Sequence, residues 1–407
     1  MTQSTDLNDN WHWYDQHGYT PLINVSGTMT GLGASITSQK VRDATSQAMA
    51  RFVNMHELQA HASGVIARLT GAEAGCMTAS ASAGISLAVA GCMSGLDPAK
   101  AEALPAQPGP RSEVVVQAGH LCGYGAPIDT AIALTGARTR QIGQSTLAMD
   151  HQLEGALGDQ TAAALYVVSH HVVHYGQIPF DRFVSICKSK GVPVIVDAAS
   201  EYDLRGFIAA GADLAVYSAH KFLGGPTGGI IAGKRAAVRA AYLQNINLGR
   251  GMKIGKESIA GAIAAMEAWM ARDHEAMREA EDRVLETWRA RLAQLPGINP
   301  IVIADPTGNP LNRLQVEVDA RQAGASAATF ARVLSQQKPA IIVRDHEVEL
   351  GYFQLDPCNL VPGQGEVVGQ AVYDVLKRGQ DFSQEPDDLH RARNGGVKGY
   401  LGWLSDN

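Results

Sequence analysis

Seven short runs of apolar, β-prone residues lie between residues 75 and 234, separated by segments with helical patterning. The runs cover residues 75–81, 113–118, 139–143, 164–169, 192–198, 214–220 and 228–234. Because these runs show little polar alternation, both faces of each strand must be covered, as in a parallel sheet between two helical layers. The loop between the last two runs is too short for a parallel crossover, so one strand should be antiparallel. The sequence therefore predicts an α/β fold with a seven-stranded, mostly parallel sheet.

The chain of 407 residues exceeds the size of one compact core, so two domains are expected. Residues 256–297 carry apolar side chains at helical spacing and predict one long helix that bridges the domains. Beyond it, residues 312–320, 340–347 and 351–357 alternate like strands of a small α+β domain, and 365–379 predicts a covering helix. The expected organisation is an N-terminal arm (1–20), a large domain (21–250), a bridging helix with a small domain (251–380) and a polar C-terminal tail (381–407).

Composition and charge exclude several classes of protein. The net charge is −6 without a basic stripe, so nucleic acid is not an expected partner. The longest apolar runs fall far short of the roughly 20 residues of a membrane helix, and the N-terminus lacks a signal-peptide pattern. The five cysteines are scattered without CxxC spacing, which indicates reduced thiols in a cytoplasmic protein. The histidine-rich segment 169–176 ends a strand and lacks the helical spacing of metal ligands, so no metal is expected.

Reactive and polar side chains follow the runs at the edge of the sheet where ligands bind in parallel α/β folds. These residues are Ser80 and Ser82 after the first run, His120 and Tyr124 after the second, Asp197 at the end of the fifth, and Ser218, His220 and Lys221 at the end of the sixth. A carboxylate, a lysine, aromatic or imidazole rings and a serine-rich helix start are thus expected to meet at one edge.

This set matches the chemical requirements of pyridoxal 5'-phosphate. Its aldehyde requires a lysine amine, here Lys221, to form a Schiff base. Its ring nitrogen stays protonated next to a buried carboxylate, here Asp197. Its phosphate suits the hydroxyl groups and the helix N-terminus at residues 78–84. Its ring requires a flat partner, for which His120 is the first choice and Tyr124 the second.

Each of these residues also has an ordinary explanation. Asp197 could cap a helix, Lys221 could be a solvated charge, and Ser80 and Ser82 could serve only as helix caps. Their joint occurrence at one sheet edge favours the cofactor site.

Five longer motifs carry a family resemblance: LINVSGTMTGLGAS (22–35), ELQAHASGVIARLTGAEAG (57–75), VDAASEYDL (196–204), SAHKFLGGPTGGIIAGK (218–234) and KESIAGAIAAMEA (256–268). With them the chain resembles the fold type I pyridoxal-phosphate enzymes, in the branch of bacterial selenocysteine synthase and D-glucosaminate-6-phosphate ammonia lyase. The resemblance extends over residues 20–380 and implies an aspartate-aminotransferase-like large domain.

The resemblance also implies roles for individual residues. Lys221 corresponds to the Schiff-base lysine and Asp197 to the partner of the pyridinium nitrogen. The implied phosphate contacts are Ser80, Ala81 and Ser82, with Ser218 and His220 beside the phosphate and Ala199 under the ring. The loop of Gly225, Pro226 and Thr227 is implied to reach the cofactor of a second subunit across the interface. The implied substrate-side residues are Asn24, Ser26, Gly27 and Thr28, with Arg344 as a grip for the substrate carboxylate or, alternatively, a surface strand-end arginine. Sites of this family need two chains, so a homo-oligomer is expected.

The expected activity is α,β-elimination from a small-molecule amino acid with a β-leaving group, which yields a 2-oxo acid and ammonia. Selenocysteine synthase has an extra RNA-binding region and a basic surface that this chain lacks, so an RNA-linked substrate is not expected. A phosphorylated substrate would need a cationic pocket, and Arg250, Lys253, Lys256, Arg313 and Arg344 are unassigned candidates for it. Racemisation, aldol cleavage and β-substitution remain alternatives, as does a cofactor-free binding protein on the same scaffold.

Overall fold

The computed structural model describes residues 7–383, 389 and 395–404. These residues form two compact units, one of residues 35–272 and one that combines the described residues up to 34 with those from 273 onward. The division differs from the predicted boundaries, because the chain start groups with the C-terminal part and the larger unit extends to residue 272. Parts of the predicted N-terminal arm and polar tail (1–6, 384–388, 390–394 and 405–407) lie outside the described residues.

The strands, in chain order, are β1 Leu22–Val25, β2 Ala74–Thr78, β3 Glu113–Gln117, β4 Arg138–Ile142, β5 Thr161–Val167, β6 Val194–Asp197, β7 Leu214–Ser218, β8 Gly229–Gly233, β9 Ile298–Ala304, β10 Asn312–Val318, β11 Ala340–Val343 and β12 Tyr352–Leu355. The helices are α1 Leu7–His17, α2 Gln39–Met49, α3 Met55–Thr70, α4 Ala81–Ser94, α5 Pro98–Ala103, α6 Ile128–Ala133, α7 Asp150–Ala156, α8 Phe180–Ser189, α9 Gly206–Ala209, α10 Arg235–Leu243, α11 Lys256–Met270, α12 His274–Leu292, α13 Ala320–Ala323, α14 Ala327–Ser335, α15 Gln364–Lys377 and α16 Gly395–Gly402. No helix in this described part of the chain is long and apolar enough to cross a membrane.

The larger unit is built on a seven-stranded sheet with the order β2-β8-β7-β6-β5-β3-β4. β8 runs antiparallel to β2 and β7, and the remaining neighbours are parallel. Alternate residues of β6 enter two separate apolar cores, Val194 and Val196 on one face and Ile195 on the other. The structure therefore confirms the predicted sheet, including the single antiparallel strand after the short glycine-rich loop.

The predicted long helix over residues 256–297 is wrong, because the structure divides it into α11 and α12. Asp273 interrupts the helix with an extended backbone, and its side chain accepts a hydrogen bond from the Ala276 amide at 3.0 Å. An aspartate in this position is a strong helix N-cap. The break falls at the division between the two units, because α11 belongs to the larger unit and α12 to the smaller one.

The smaller unit combines a three-stranded antiparallel sheet, β12-β10-β9, with the parallel pair β1-β11. Its core includes residues of α12, α14 and α15. The buried Trp288 of α12 donates its indole N–H to the Gly365 carbonyl at 2.7 Å. β1 pairs with β11 in the register Val25 to Val343, so the start of the chain is an integral part of this unit.

Candidate active site

Asp197 and Lys221 lie at the carboxyl ends of neighbouring strands in the larger unit. Asp197 is the last residue of β6 and pairs in register with Val216 of β7, whereas Lys221 follows the end of β7 by three residues. The Ser218 amide donates to the Ala199 carbonyl at 3.2 Å, which holds the two strand ends together beyond the sheet. The fold thus confirms the prediction that these two strand ends are adjacent.

The Asp197 carboxylate is buried, with 7% of the residue exposed. Its Oδ1 accepts a hydrogen bond from the Ala199 amide at 3.1 Å. Burial raises the pKa of Asp197 to about 6, while the nearby Lys221 charge and the Ala199 amide act in the opposite direction. A carboxylate in this setting is strongly favoured in its charged form once a further positive charge binds beside it.

The Lys221 amine is also largely removed from water. Its Nζ donates a hydrogen bond to the Ser200 hydroxyl. Burial lowers the pKa of Lys221, and the negative charges of Asp197 and Glu201 oppose that shift. Sequence reasoning did not select Ser200 or Glu201, although both lie within the quoted motif VDAASEYDL. A lowered lysine pKa increases the fraction of free amine, which is the form required of a nucleophile or base.

The N-terminus of α4 provides a site suited to an anion. Ser80 is the N-cap and accepts a hydrogen bond from the Ala83 amide at 3.0 Å. The amides of Ala81 and Ser82, in the first turn, have no acceptor within the helix. The Ser82 hydroxyl accepts a hydrogen bond from the Tyr124 hydroxyl at 3.1 Å. Free amides, hydroxyl groups and the positive end of the helix dipole together favour a phosphate group.

The loop between β7 and β8 is tightly folded. Ser218 Oγ and His220 Nδ1 share a hydrogen bond of 3.0 Å, and burial lowers the pKa of His220. The Gly225 amide donates to the Ala219 carbonyl at 2.8 Å. A Cβ atom on Gly225 would lie 2.7 Å from that carbonyl oxygen, so only glycine fits. Thr227, which the resemblance places at a subunit interface, is exposed on this loop.

The structure positions the two predicted ring partners differently. His120 is buried, its Nδ1 accepts the Val167 amide at 3.1 Å, and its ring meets Tyr166 edge-on at 4.5 Å. Burial, with a smaller contribution from His174, lowers the pKa of His120 to about 4, so the ring is neutral. Tyr124 contacts Ser82, and burial and the Asp197 charge raise its pKa. Both rings therefore stay candidates for stacking on the cofactor.

The predicted substrate-side residues all lie in the smaller unit. Ser26 directly follows β1 and Arg344 directly follows β11, and these strands are parallel and in register. The side-chain Nδ2 of Asn24 donates a hydrogen bond to the Gly27 carbonyl at 2.8 Å. The Oδ1 of the same side chain accepts hydrogen bonds from the backbone amide and the hydroxyl of Ser26, both at 2.9 Å. Thr28 is half-buried in the same loop. The two sequence segments, more than 300 residues apart, thus meet at one strand end.

Arg344 is buried rather than a surface arginine, with 8% of the residue exposed. Two backbone hydrogen bonds of 2.9 Å to Gln354 fix its main chain. Among the described residues, no side chain forms a hydrogen bond or ion pair with its guanidinium. Burial and the Arg313 charge lower the pKa of Arg344, while the charges of Glu347, Asp356 and Asp305 oppose that shift. A buried guanidinium that is hydrogen-bonded to no protein carboxylate fits a residue that binds an anionic ligand.

Residues 22–295 match the family model described as L-seryl-tRNA selenium transferase (SelA). This chain belongs to that family. Within the SelA family, the chain is 35% identical over 368 residues to D-glucosaminate-6-phosphate ammonia lyase of Salmonella typhimurium, which covers 90% of this chain and 99% of the relative. It is also 35% identical over 382 residues to 5'-C-glycyluridine monooxygenase-decarboxylase of a Streptomyces species, which covers 93% of this chain and 95% of the relative.

Solved structures agree with the SelA family assignment. A structure of D-glucosaminate-6-phosphate ammonia-lyase superimposes with a TM-score of 0.81 at 34% identity and covers 93% of this chain and all of that chain. Aspartate aminotransferase of Thermotoga maritima superimposes with a TM-score of 0.53 at 13% identity over 94% of this chain and 97% of that one, which shows a shared fold. The predicted aspartate-aminotransferase-like fold and the predicted family branch are confirmed.

Proposed function

We propose that this protein is a pyridoxal 5'-phosphate-dependent lyase that acts on an amino acid with a β-leaving group and releases a 2-oxo acid and ammonia. The observation that carries the proposal is that the buried Asp197 and the half-buried Lys221 lie at neighbouring strand ends, where the charge of each acts on the other. The 35% identity across 99% of an ammonia lyase supports the class of reaction.

The described residues fit this cofactor. The first-turn amides of α4, with Ser80 and Ser82, would hold the phosphate, and Ser218 and His220 would flank it. Asp197 would hold the proton on the ring nitrogen, because a buried carboxylate favours an adjacent positive charge. His120 or Tyr124 would lie against the ring. When bound, the cofactor supplies an electron sink for the electron pair that remains on the substrate Cα.

Lys221 acts twice in this proposal. Its amine would hold the cofactor through the aldehyde, and as a free amine it would take the proton from the substrate Cα. Burial lowers its pKa, which keeps the amine available as a base, and the Ser200 hydroxyl holds Nζ in place. Arg344 binds the substrate carboxylate through its buried guanidinium, next to the loop of Asn24, Ser26 and Thr28.

A second activity is supported by the equal identity to the Streptomyces monooxygenase-decarboxylase. The two activities differ in their products and in their need for oxygen. Elimination needs no oxygen and yields ammonia and a 2-oxo acid, whereas an oxygenase reaction consumes oxygen and a decarboxylase reaction releases carbon dioxide.

The test uses the holoenzyme with a panel of D- and L-amino acids that carry β-hydroxyl groups, with and without oxygen. We expect ammonia and 2-oxo acid in equal amounts under both conditions. Oxygen uptake with carbon dioxide release would support the second activity, and α-deuterium exchange without ammonia would indicate racemisation.

A lysine pair provides a matched control for the cofactor. Lys221→Ala should abolish activity and the absorbance of the protein-bound cofactor. Lys234, an exposed residue that follows β8 and whose Nζ lies 2.6 Å from Asp213, should tolerate replacement by alanine without either loss. A wild-type protein that stays colourless with added cofactor would refute the proposal.

We further propose a cytoplasmic homo-oligomer with shared sites. The larger unit exposes apolar side chains at residue 36 and along 49–55, where Phe52 is fully exposed, and clustered exposed apolar side chains such as those of 49–55 are typical of an interface. The five cysteines are all free thiols, as in a reducing compartment. Light scattering at micromolar concentration should give a multiple of the chain mass of 43.1 kDa, and a monomeric holoenzyme with full activity would contradict shared sites.

A further inference from the structure

Two buried arginines and two buried aspartates form a charged cluster in the smaller unit. Arg313 Nη1 lies 2.7 Å from Asp305 Oδ2, and Arg313 Nε lies 2.8 Å from Asp356 Oδ2. The three side chains of these ion pairs are almost completely buried. Arg344 is close enough for all three charges, and for that of Glu347 outside the cluster, to affect it electrostatically. The cluster is formally neutral, yet Arg313 alone makes both ion pairs.

The remaining oxygen atoms of the two aspartates are engaged as well. Asp305 Oδ1 accepts from the Thr307 amide at 2.9 Å and the Thr307 hydroxyl at 2.6 Å. Asp356 Oδ1 accepts from the Cys358 amide at 3.0 Å. Each carboxylate is therefore turned toward donors other than Arg344.

We propose that Arg313 is a positioning residue: it holds Asp305 and Asp356 away from Arg344, so that the Arg344 guanidinium stays available for the substrate carboxylate. This inference rests on the proposed function. Arg313 itself does not bind substrate, since both of its sides are already occupied by protein carboxylates. The same assignment removes Arg313 from the candidates for a substrate-phosphate pocket.

The physical basis is competition for a buried guanidinium. In a low-dielectric interior, an aspartate released from Arg313 would be drawn to Arg344, on which its charge already acts, and would pair with it. A carboxylate of the same chain loses no translational or rotational freedom of association when it binds Arg344, so it would displace the carboxylate of a dissolved substrate. Arg313 prevents this because its planar, forked guanidinium engages two carboxylates at once, which a lysine cannot do in the same geometry.

Asp356 also connects the cluster to the substrate-side loop. Its amide donates to the Val25 carbonyl at 2.8 Å, at the end of β1. Gly27 has a φ of +91°, and a Cβ atom there would lie 3.2 Å from Asp356 Oδ2. Movement of Asp356 toward Arg344 would therefore disturb the loop that contains Ser26 and Thr28.

The experiment compares the holoenzyme's affinity for alanine, as both enantiomers, with its affinity for alaninamide. Alanine has no β-leaving group, so it reports carboxylate binding without elimination, and alaninamide lacks the carboxylate. In isothermal titration calorimetry, the wild type should prefer alanine, and Arg344→Met should lose that preference. Arg313→Met should also lose the preference, by tenfold or more.

The decisive variant removes the two aspartate charges that Arg313 holds, together with Arg313, and leaves Glu347 in place. We expect Arg313→Met/Asp305→Asn/Asp356→Asn to recover the preference to within threefold of the wild type. A triple variant that stays impaired while its circular dichroism spectrum is native would assign Arg313 to direct ligand contact and overturn the inference. Retention of the preference in Arg313→Met alone would overturn it as well.

Three outcomes keep the test decisive. If Arg313→Met does not fold, the triple variant and Arg344→Met carry the comparison, because the triple variant leaves no unpaired buried aspartate. If the wild type does not distinguish alanine from alaninamide, the proposed carboxylate role of Arg344 fails, and this inference fails with it. A wild type that distinguishes them together with an unchanged Arg313→Met refutes the positioning role alone.

Discussion

Replacement of Asp197 by asparagine should stabilise the cofactor-free protein while it damages the holoenzyme. In the cofactor-free fold, burial raises the pKa of Asp197 from 3.8 to about 6 even with Lys221 nearby. Ionised Asp197 therefore costs folding free energy at neutral pH, and a neutral asparagine of nearly the same shape avoids this cost. With the cofactor bound, the same substitution removes the charge that favours a protonated ring nitrogen.

The magnitude follows from the pKa difference. The difference is about 2.2 pH units, and at about 1.36 kcal/mol per unit it corresponds to roughly 3 kcal/mol. Because a raised acid pKa destabilises the fold above that pKa, the full gain should appear above about pH 7. The gain should shrink to about half by pH 5 and vanish below the unfolded-state value of 3.8.

Urea denaturation of the cofactor-free protein at pH 8 and pH 5, at one chain concentration, measures this effect. Glu102→Gln, on an exposed side chain, makes the same change in net charge and should leave the free energy of unfolding unchanged. Cofactor affinity of the two variants is measured in parallel by absorbance titration. If Asp197→Asn lowers the stability at pH 8, or raises it equally at both pH values, then Asp197 is not a carboxylate strained by burial and the reasoning is wrong.

Three further substitutions test local features of the larger unit and of the chain between the units. Ser80→Ala removes the cap of α4 and should lower the free energy of unfolding by about 1 kcal/mol in urea and weaken cofactor affinity, with Ser80→Thr as the tolerated control. An unchanged cofactor affinity would dissociate this helix end from the phosphate. Asp273→Ala should cost about 1 kcal/mol in the same assay and Asp273→Asn much less, and equal losses would refute the capping role. Gly225→Ala places a methyl group 2.7 Å from the Ala219 carbonyl and should cost about 1–3 kcal/mol in thermal unfolding, whereas Gly251→Ala, in open space, should not. A neutral Gly225→Ala would mean that the loop is free to relax.

The sheet could be predicted from the sequence because its signals are local. Unbroken apolar runs require covered strands, and the short loop before Gly229 allows only an antiparallel turn. Asp197 and Lys221 could be placed together for the same reason, since each follows its own strand in a sheet of known direction. The break at Asp273 was missed because helical apolar spacing continues on both sides of it, although the aspartate itself was the available signal.

The charged cluster could not be predicted because it depends on strand register. β10 pairs with β12 in the register Leu314 to Leu355, and this brings Arg313 next to Asp356. β10 also pairs with β9 in the register Asn312 to Ala304, which brings Arg313 next to Asp305. In the sequence alone, Arg313 looked as available to a substrate phosphate as Arg344 did. A shift of one residue in either pairing would turn the Arg313 side chain to the opposite face of the sheet, away from that aspartate.

The pairing of β1 with β11 has a consequence for how the chain is made. During translation, Val25 is synthesised more than 300 residues before its partner Val343, so β1 has no strand to pair with during most of synthesis. Residues 35–272 form their own compact unit, and we expect them to fold while the chain is still growing. The smaller unit must wait for the later residues, and until then its first strand is an open edge. Nascent chains stalled before residue 340 should therefore contain a protease-resistant larger unit preceded by a cleavable N-terminal segment.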